Sequence, residues 1–378
     1  MLEPPQKTGV ELSDQQRFSW LRLIRSDNIG PMTFRDLINR FGTADAALDA
    51  LPELAARAKA RKKIQIASID AIEREMDVAQ RCGARFIGLG EPDYPAALKM
   101  ADAPPPMIAI MGSTDCLARH SVSIVGSRNS SLSGAKIARQ IAEGLGKADF
   151  VISSGLARGI DTAAHRAALK TGTIAVFAGG LNVIYPPENS ELLSEIIANG
   201  GAAISEMPFG WKPRAQDFPR RNRIVAGLSL GLVVIEAATR SGSLISARIA
   251  NEMGRLVFAV PGSPLDPRCA GTNYLLKDGA IVTTGARDVQ DALMPLTRTL
   301  SEQAPYSLEE QEATDEISPP ADESERQQIM TALGPTPCEV DEIIRFTGIS
   351  APIVQLVLLE LDLDGRIERH PGGLVSMI

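Results

Sequence analysis

An α/β protein with a mostly parallel sheet, preceded by a helical segment and followed by a winged helix, is the fold this sequence predicts. Three observations carry that expectation. Short continuous apolar runs recur between residues 121 and 260, most of them separated by helical stretches, the pattern of strands buried on both faces. Before residue 85 the apolar spacing is helical. After an acidic stretch, residues 326–378 read as three helices and a β-hairpin.

The elements follow in chain order. Helices are expected over 15–25, 33–41, 44–58 and 64–82, the third broken or restarted at Pro52. Between the first two, Asn28-Ile29-Gly30-Pro31 forms a tight turn with Pro at a helix start. The run IGPMTFRDLINRFGT has the look of a helix–hairpin–helix element. Its Gly30 turn suits either a DNA phosphate or an ordinary small bundle. Residues 86–111 are Pro-rich (EPDYP, DAPPPM) and read as a partly extended connector. Strands are then expected at 121–125, 150–152, 173–177, 203–204, 231–235 and 256–260, with right-handed crossovers between parallel neighbours. Residues 300–325 hold nine carboxylates and no Lys or Arg, which predicts a solvated linker. Helices at 326–333, 338–347 and 351–363 and two strands around Pro371-Gly372-Gly373 complete the chain. The expected domains are 1–85, 86–298 and 326–378, with 299–325 as linker.

Composition narrows the function. The net charge of -7 argues against an evenly basic nucleic-acid coat but allows a local basic stripe. Aromatics make up 4% of the residues, so any base-stacking surface must rest on few side chains. Cys82, Cys116, Cys269 and Cys338 lie far apart, form no CxxC pair and are joined by three scattered histidines. Reduced thiols and no metal site are expected. The start MLEPPQKTGVELSD has no apolar h-region, and nothing resembles the roughly 18-residue apolar run of a membrane helix. A cytoplasmic location without a membrane partner is expected.

The chemistry concentrates in turns at strand ends. The strand SVSIV runs into Gly126-Ser127-Arg128-Asn129-Ser130-Ser131-Leu132-Ser133-Gly134 before a helix, which places backbone N–H groups at a positive helix end, suited to phosphate. Arg128 adds a bidentate phosphate donor. The next strand repeats this arrangement in Ser153-Ser154-Gly155-Leu156-Ala157-Arg158-Gly159, so Arg128 and Arg158 share the carboxyl edge of the sheet, where open α/β folds bind ligands. Asp161 and His165, four apart on one helix face, read either as an acid–base or metal pair or as a purely structural pair. Phe218-Pro219-Arg220-Arg221-Asn222-Arg223 is the densest basic cluster and reads as a loop tracking phosphates, with Phe218 stacking on a base. Ser241, Gly242 and Ser243 offer hydroxyls and N–H groups at another strand end, and Val260-Pro261-Gly262-Ser263 with Gly271-Thr272-Asn273 form a fifth such feature. Walker A and GxGxxG spacings are both missing, which disfavours ATP hydrolysis and NAD chemistry. A single phosphate needs one such turn, whereas a polynucleotide needs several.

The motifs IVGSRNSSLSG, SSGLARGIDTAAHRAAL, FAGGLNVIYPPEN, ISEMPFG, FPRRNRIVAGLS, VVIEAATRSGSLISARIANEMGR, VFAVPG and GTNYLLKDGA follow one another in a way that resembles the DprA/Smf (DNA-processing protein A) family. The match covers about residues 121–280. The resemblance implies an extended Rossmann-like fold, an N-terminal SAM-like domain and a C-terminal winged helix. It also implies a homodimer that binds and protects single-stranded DNA and loads RecA recombinase in natural transformation, with no catalytic residue and no cofactor. It points to Arg128, Phe218, Arg220, Arg221 and Arg223 as the DNA pocket, supported by Ser127, Arg158 and Asn222. Leu132 and Ser133 depart from the family, where an aromatic is common before Gly134. The segment APIVQLVLLELDLDG is apolar and acidic, unlike a helix that reads the major groove. The competing reading is a Rossmann-like enzyme that cleaves nucleotide N-glycosidic bonds, for which Glu236 is the nearby acid. A third reading is an interaction scaffold with a vestigial pocket.

Overall fold

A computed structural model describes residues 9–57, 64–302, 310 and 321–378. Four helices come first: α1 (Asp14–Ile24), α2 (Pro31–Phe41), α3 (Ala44–Arg57) and α4 (Ile69–Arg81). The sheet region follows as β1 (Ala84–Gly88), α5 (Ala96–Lys99), β2 (Met107–Gly112), α6 (Thr114–Leu117), β3 (Ser121–Gly126), α7 (Leu132–Lys147), β4 (Val151–Ser154), α8 (Ile160–Ala168) and β5 (Thr173–Val176). It continues with α9 (Ser190–Ala198), β6 (Ala202–Ser205), α10 (Asp217–Gly227), β7 (Gly231–Ile235), α11 (Gly242–Glu252), β8 (Leu256–Ala259), α12 (Ala270–Lys277), β9 (Ile281–Val282) and α13 (Ala286–Glu302). The last elements are α14 (Glu323–Ala332), β10 (Cys338–Glu339), α15 (Val340–Thr347), α16 (Ala351–Leu363), β11 (Ile367–His370) and β12 (Leu374–Met377).

Two compact units result, one built on Glu75–Ser307, the other on Leu12–Arg74 with Leu308–Ile378. In the first, nine strands lie in the order β1-β2-β6-β5-β4-β3-β7-β8-β9. From β6 to β9 all neighbours are parallel. Residues of β3, β4, β5, β6 and β7 are almost wholly buried, as their unbroken apolar runs require. Helices α7 and α8 pack Ile141, Leu145 and Ile160 against Val122, Ile124, Ile152 and Phe150, and Val233, Ile235 and Phe258 continue the same core. The chain steps outward from β3 through β4 and β5 to β6, then returns to place β7 on the other side of β3. That reversal is the switch point at which such sheets open a crevice.

The Pro-rich stretch is more than a connector. β1 and β2 pair antiparallel, and β2 pairs antiparallel with β6, so the stretch forms one edge of the sheet. Its prolines fall mainly between the two strands, where Tyr94 is buried and donates to the Pro105 carbonyl (2.8 Å). Helix α3 also runs unbroken through Pro52, contrary to the expected break. Pro52 removes one N–H bond, but buried Leu48, Leu51 and Leu54 hold the helix on either side.

In the second unit, β10, β12 and β11 form a three-stranded sheet beside α14, α15 and α16, around a core of Ile329, Val354, Leu358, Leu361 and Ile367. Helix α15 starts two residues later than expected because Cys338 and Glu339 pair with β12. Helix α16 is buried over Leu356–Leu361, Glu360 included, and packs on α2 and α3. Asn28 Nδ2 donates to the Leu363 carbonyl (2.7 Å) and Thr33 Oγ1 to Asp362 (2.8 Å). Arg369 bridges Asp36 (2.8 Å) and Asp362 (2.9 Å). The apolar helix of APIVQLVLLELDLDG therefore packs on the N-terminal helices.

The expected linker, 299–325, is helical at both ends: α13 reaches Glu302, and Asp322 caps α14. Its middle lies outside the described residues apart from Glu310. The Glu310 carboxylate is not free in solvent, because it accepts from Trp20 Nε1 (2.8 Å), Gln16 Nε2 (2.9 Å) and the Ala44 N–H (2.8 Å). Among the described residues no helix is long and apolar enough to cross a membrane.

Candidate functional site

A cavity of about 490 Å³ opens at the carboxyl ends of β3, β4 and β7, at the switch point of the sheet. Three of the four Gly/Ser turns line it: Gly126, Ser127 and Arg128 after β3, Gly155 and Ala157 after β4, and Arg240, Ser241, Gly242 and Ser243 after β7. Helix α10 supplies Phe218, Arg221 and Asn222. The Gly262/Gly271 feature does not line the cavity; there Asn273 ties itself to the Gly262 backbone (3.0 and 3.2 Å).

The turns are braced against one another. Ser243 Oγ donates to the Gly126 carbonyl (3.0 Å), Ser241 Oγ accepts from the Ser243 N–H (3.2 Å), and Asn222 Nδ2 reaches the Gly242 carbonyl (3.5 Å). Gly159, at φ +78°, passes so close to the Ser127 carbonyl that a Cβ would stand 2.3 Å from it, so only glycine fits. Arg128 has no acidic partner among the described residues, and its guanidinium sits 5.2 Å from the Phe218 ring centre. This cation–π contact holds a charge at the rim without neutralising it.

FPRRNR is a helix rather than a loop. It forms most of α10, because Pro219 falls in the first turn, where no N–H is needed. Asp217 anchors that turn by accepting from the Arg214 N–H (2.8 Å) and from Trp211 Nε1 (2.9 Å). Helical spacing splits the basic cluster, since residues three apart share a face and the one between points elsewhere. Arg220 pairs with the buried Glu206 (2.9 Å). Arg223 pairs with the same carboxylate and also donates to the Ala103 carbonyl. Neither lines the cavity. Arg221 does, but as an inward brace: it is buried, donates to the Gly155 (2.7 Å) and Val176 carbonyls, and occupies the space a Gly155 Cβ would need. Burial pushes its guanidinium down to about 10, against the pull of Asp161, so it stays charged at neutral pH. Arg158 lies in a small adjoining recess with Arg128, Tyr185 and Phe218, loosely facing Glu188 (3.8 Å).

Asp161 and His165 do not act as a pair. Asp161 Oδ2 accepts from the Gly155 (3.1 Å) and Ala157 (3.3 Å) N–H groups. Burial raises its carboxyl above the usual range, opposed chiefly by Arg221. His165 turns away to Thr173 Oγ1 (2.7 Å). Burial, reinforced by the Arg221 charge, pushes its imidazole down to about 3. Glu236, the acid of the N-glycosidase reading, accepts from the Ser131 N–H (2.8 Å) and hydroxyl. It thereby orders the first turn of α7, pressed against Gly134. Leu132 beside it is 92% exposed. Among the described residues no group of three or more His, Cys, Asp and Glu is placed to hold a metal.

Two residues escaped the sequence reading. Arg240 lines the cavity, exposed, at the third strand-end turn. Its place after β7 repeats that of Arg128 after β3, a repetition visible in the sequence. Tyr185 lines the recess, in a motif to which no role had been attached.

A mostly parallel sheet whose strand-end turns, arginines and one aromatic converge at the switch point defines a phosphate-binding α/β protein without a nucleotide-cofactor fingerprint. The chain belongs to the DNA recombination-mediator protein A (DprA) family, whose model matches residues 85–294. A DprA-like N-terminal HHH domain matches 14–78, and a DprA winged helix domain matches 313–373. The chain is 37% identical over 286 residues to protein Smf of Escherichia coli, covering 75% of each. Its fold is similar to the X-ray structure of DNA processing protein A from Streptococcus pneumoniae, with TM-score 0.57, 32% identity, and coverage of 75% of this chain and 98% of that one. It is also similar to the Helicobacter pylori protein, described by its single-stranded DNA binding mode, with TM-score 0.51, 29% identity, and coverage of 56% and 96%. The fold is thus Rossmann-like with an N-terminal helical domain and a C-terminal winged helix.

Proposed function

We propose that this chain binds single-stranded DNA in the cavity at the ends of β3, β4 and β7, holding the strand without chemistry. The observation that carries this reading is Arg128, a guanidinium with no acidic partner among the described residues, at the rim of three Gly/Ser turns and against an aromatic ring. Ser127, Asn222, Ser241, Gly242 and Ser243 frame the phosphate path, Arg158 and Arg240 add charge, and Arg221 keeps the frame in place. The binding mode named for the Helicobacter pylori relative supports the same ligand. A non-catalytic role agrees with the engagement of Glu236 and Asp161 in backbone and hydroxyl hydrogen bonds. Family membership supports the further assignment: a cytoplasmic homodimer that passes the strand to RecA recombinase during DNA processing in transformation.

Titration of labelled oligo-dT and of a duplex of equal length over a salt series tests the reading. Tight, salt-sensitive binding of the single strand with weaker binding of the duplex is expected. Equal affinity for both, or release of free base from a nucleoside monophosphate with loss of that turnover in Glu236→Gln, would count against it.

A further inference from the structure

The motif FAGGLNVIYPPEN ends at the recess beside the cavity and has no role in the reading so far. Tyr185 within it is 51% exposed in a chain with few aromatics. An exposed ring is ordinary by itself, but this one is fixed in place among groups that suit a nucleotide. Its ring centre lies 5.7 Å from that of Phe218, tilted by 60°. The guanidinium of Arg128 sits over Phe218. Phe218 is therefore engaged by Arg128 and by Tyr185, while half of Tyr185 faces solvent. Arg128 and Arg158 line the same recess.

The loop that carries Tyr185 is anchored to the wall of the site. Asn189, buried, donates through Nδ2 to the Leu156 carbonyl (2.8 Å) and to Thr162 Oγ1 (3.0 Å). These bonds tie the residues after Tyr185 to the turn after β4, the turn that supplies Gly155 and Ala157 to the cavity. A ring on such a loop is pre-organised, so stacking on it costs little ordering.

We propose that Tyr185 is the platform on which a base stacks, with Phe218 as its support, and that this stacking makes the site prefer single strands to duplex. The proposal rests on the single-strand reading above. In a duplex the base faces are stacked on one another and withheld from the ring. In a single strand whose phosphates meet Arg128 and Arg158, a neighbouring base is free to lie on Tyr185. Stacking tolerates any base, because every base has a π-face.

The experiment is a fluorescence-anisotropy titration of the full chain with a dT oligonucleotide and with an abasic strand of the same length. The wild type, Tyr185→Ala, Tyr185→Phe and Arg128→Ala are compared. Tyr185→Ala is expected to weaken dT binding by about 5- to 100-fold and to leave abasic binding unchanged, and Tyr185→Phe to keep wild-type affinity for both. Arg128→Ala should weaken both ligands. If Tyr185→Ala binds dT like the wild type while Arg128→Ala does not, Tyr185 is not the platform and the single-strand reading stands. If Tyr185→Ala weakens dT and abasic binding equally, the residue shapes the loop and does not stack, and the proposal fails. If the wild type binds neither strand, the single-strand reading falls and the platform with it.

Discussion

Arg128 of the sheet unit and the paired arginines of the terminal unit stand in opposite surroundings. In the sheet unit, Arg128 stands at a cavity with no acidic partner among the described residues, its charge turned toward whatever enters. In the terminal unit, Arg326 is buried against Glu360, and Arg369 is held between Asp36 and Asp362. The carboxylates there do the same kind of work. Glu310 gathers the Trp20 indole, the Gln16 amide and the Ala44 N–H, and Asp362 takes both Thr33 and Arg369. Arg128 holds positive charge ready for a ligand, whereas the charges of the terminal unit join the two ends of the chain to each other. The surroundings of an arginine, more than its presence, then decide whether replacing it costs binding or stability.

The largest effect is expected from Arg326→Met. It leaves Glu360 buried without its principal partner, and burial already lifts that carboxyl above the usual range. Breaking a buried pair on one side costs about 3–5 kcal/mol. The loss should be smaller in acid, where Glu360 is protonated and no buried charge remains. Trp20 and Trp211, the chain's two tryptophans, lie one in each unit, so a Trp211→Phe background lets urea unfolding of the terminal unit be followed alone. Single-strand affinity should stay where it was. A matching loss of affinity would show that the two uses of arginine are not separable.

Arg128→Ala tests the other side of the comparison. Loss of a charged contact to phosphate should cost about 2 kcal/mol, a roughly 30-fold weaker affinity. The slope of log affinity against log salt should shrink by about one. Unfolding should shift by no more than about 1 kcal/mol, because only the cation–π contact with Phe218 is lost and no salt bridge within the protein. Arg221 is unsuitable as a partner in this test. Its removal would strand the Gly155 and Val176 carbonyls, so lost binding in a double variant would mix frame with contact.

How legible each part was follows from where its determinants lie. Strands β3 to β8 could be read because each carries a short apolar run, and all but β8 are buried almost throughout. β1 and β2 were hidden by prolines that sit mainly between them, and β9 is two residues long. The Gly/Ser turns announced the cavity, since small residues at strand ends have few other uses. The direction of the basic cluster did not show. It depends on α10 being a helix despite Pro219, and on Glu206, which lies after β6 and outside the motif. Tyr185 was missed for a related reason: its meaning comes from Phe218, far along the chain, and from a loop tied down by Asn189.

His165 shows what a basic group becomes when it is buried without an acid to hold its proton. Its folded value near 3 is below the unfolded value of about 6.5. The stability tied to its neutral form is therefore present above pH 6.5 and lost as pH falls toward 3. Between pH 7.5 and 5.5 the sheet unit should lose about 1.4 kcal/mol from this group. Urea unfolding read from Trp211 in a Trp20→Phe background measures it. His165→Gln, which keeps a polar partner for Thr173, should flatten that slope. A slope that survives the substitution would assign the acid sensitivity to another group, such as one of the paired carboxylates.

The smallest effect is the most discriminating, because Arg220 stands between the two cases. It belongs to the sheet unit and to the motif that implies DNA contact, yet it is paired like the arginines of the other unit. Its side chain is 49% exposed and shares Glu206 with Arg223. With Arg220→Ala the Glu206 carboxylate keeps Arg223, so stability should fall by less than about 1 kcal/mol. If pairing decides the role, single-strand affinity and its salt slope should also stay close to wild type. The measurement is the same salt series applied to Arg128→Ala. An Arg220→Ala variant that loses as much affinity, and as much slope, as Arg128→Ala would mean that Glu206 releases the guanidinium to the strand. The contrast between open and paired arginines would then describe only the unliganded protein.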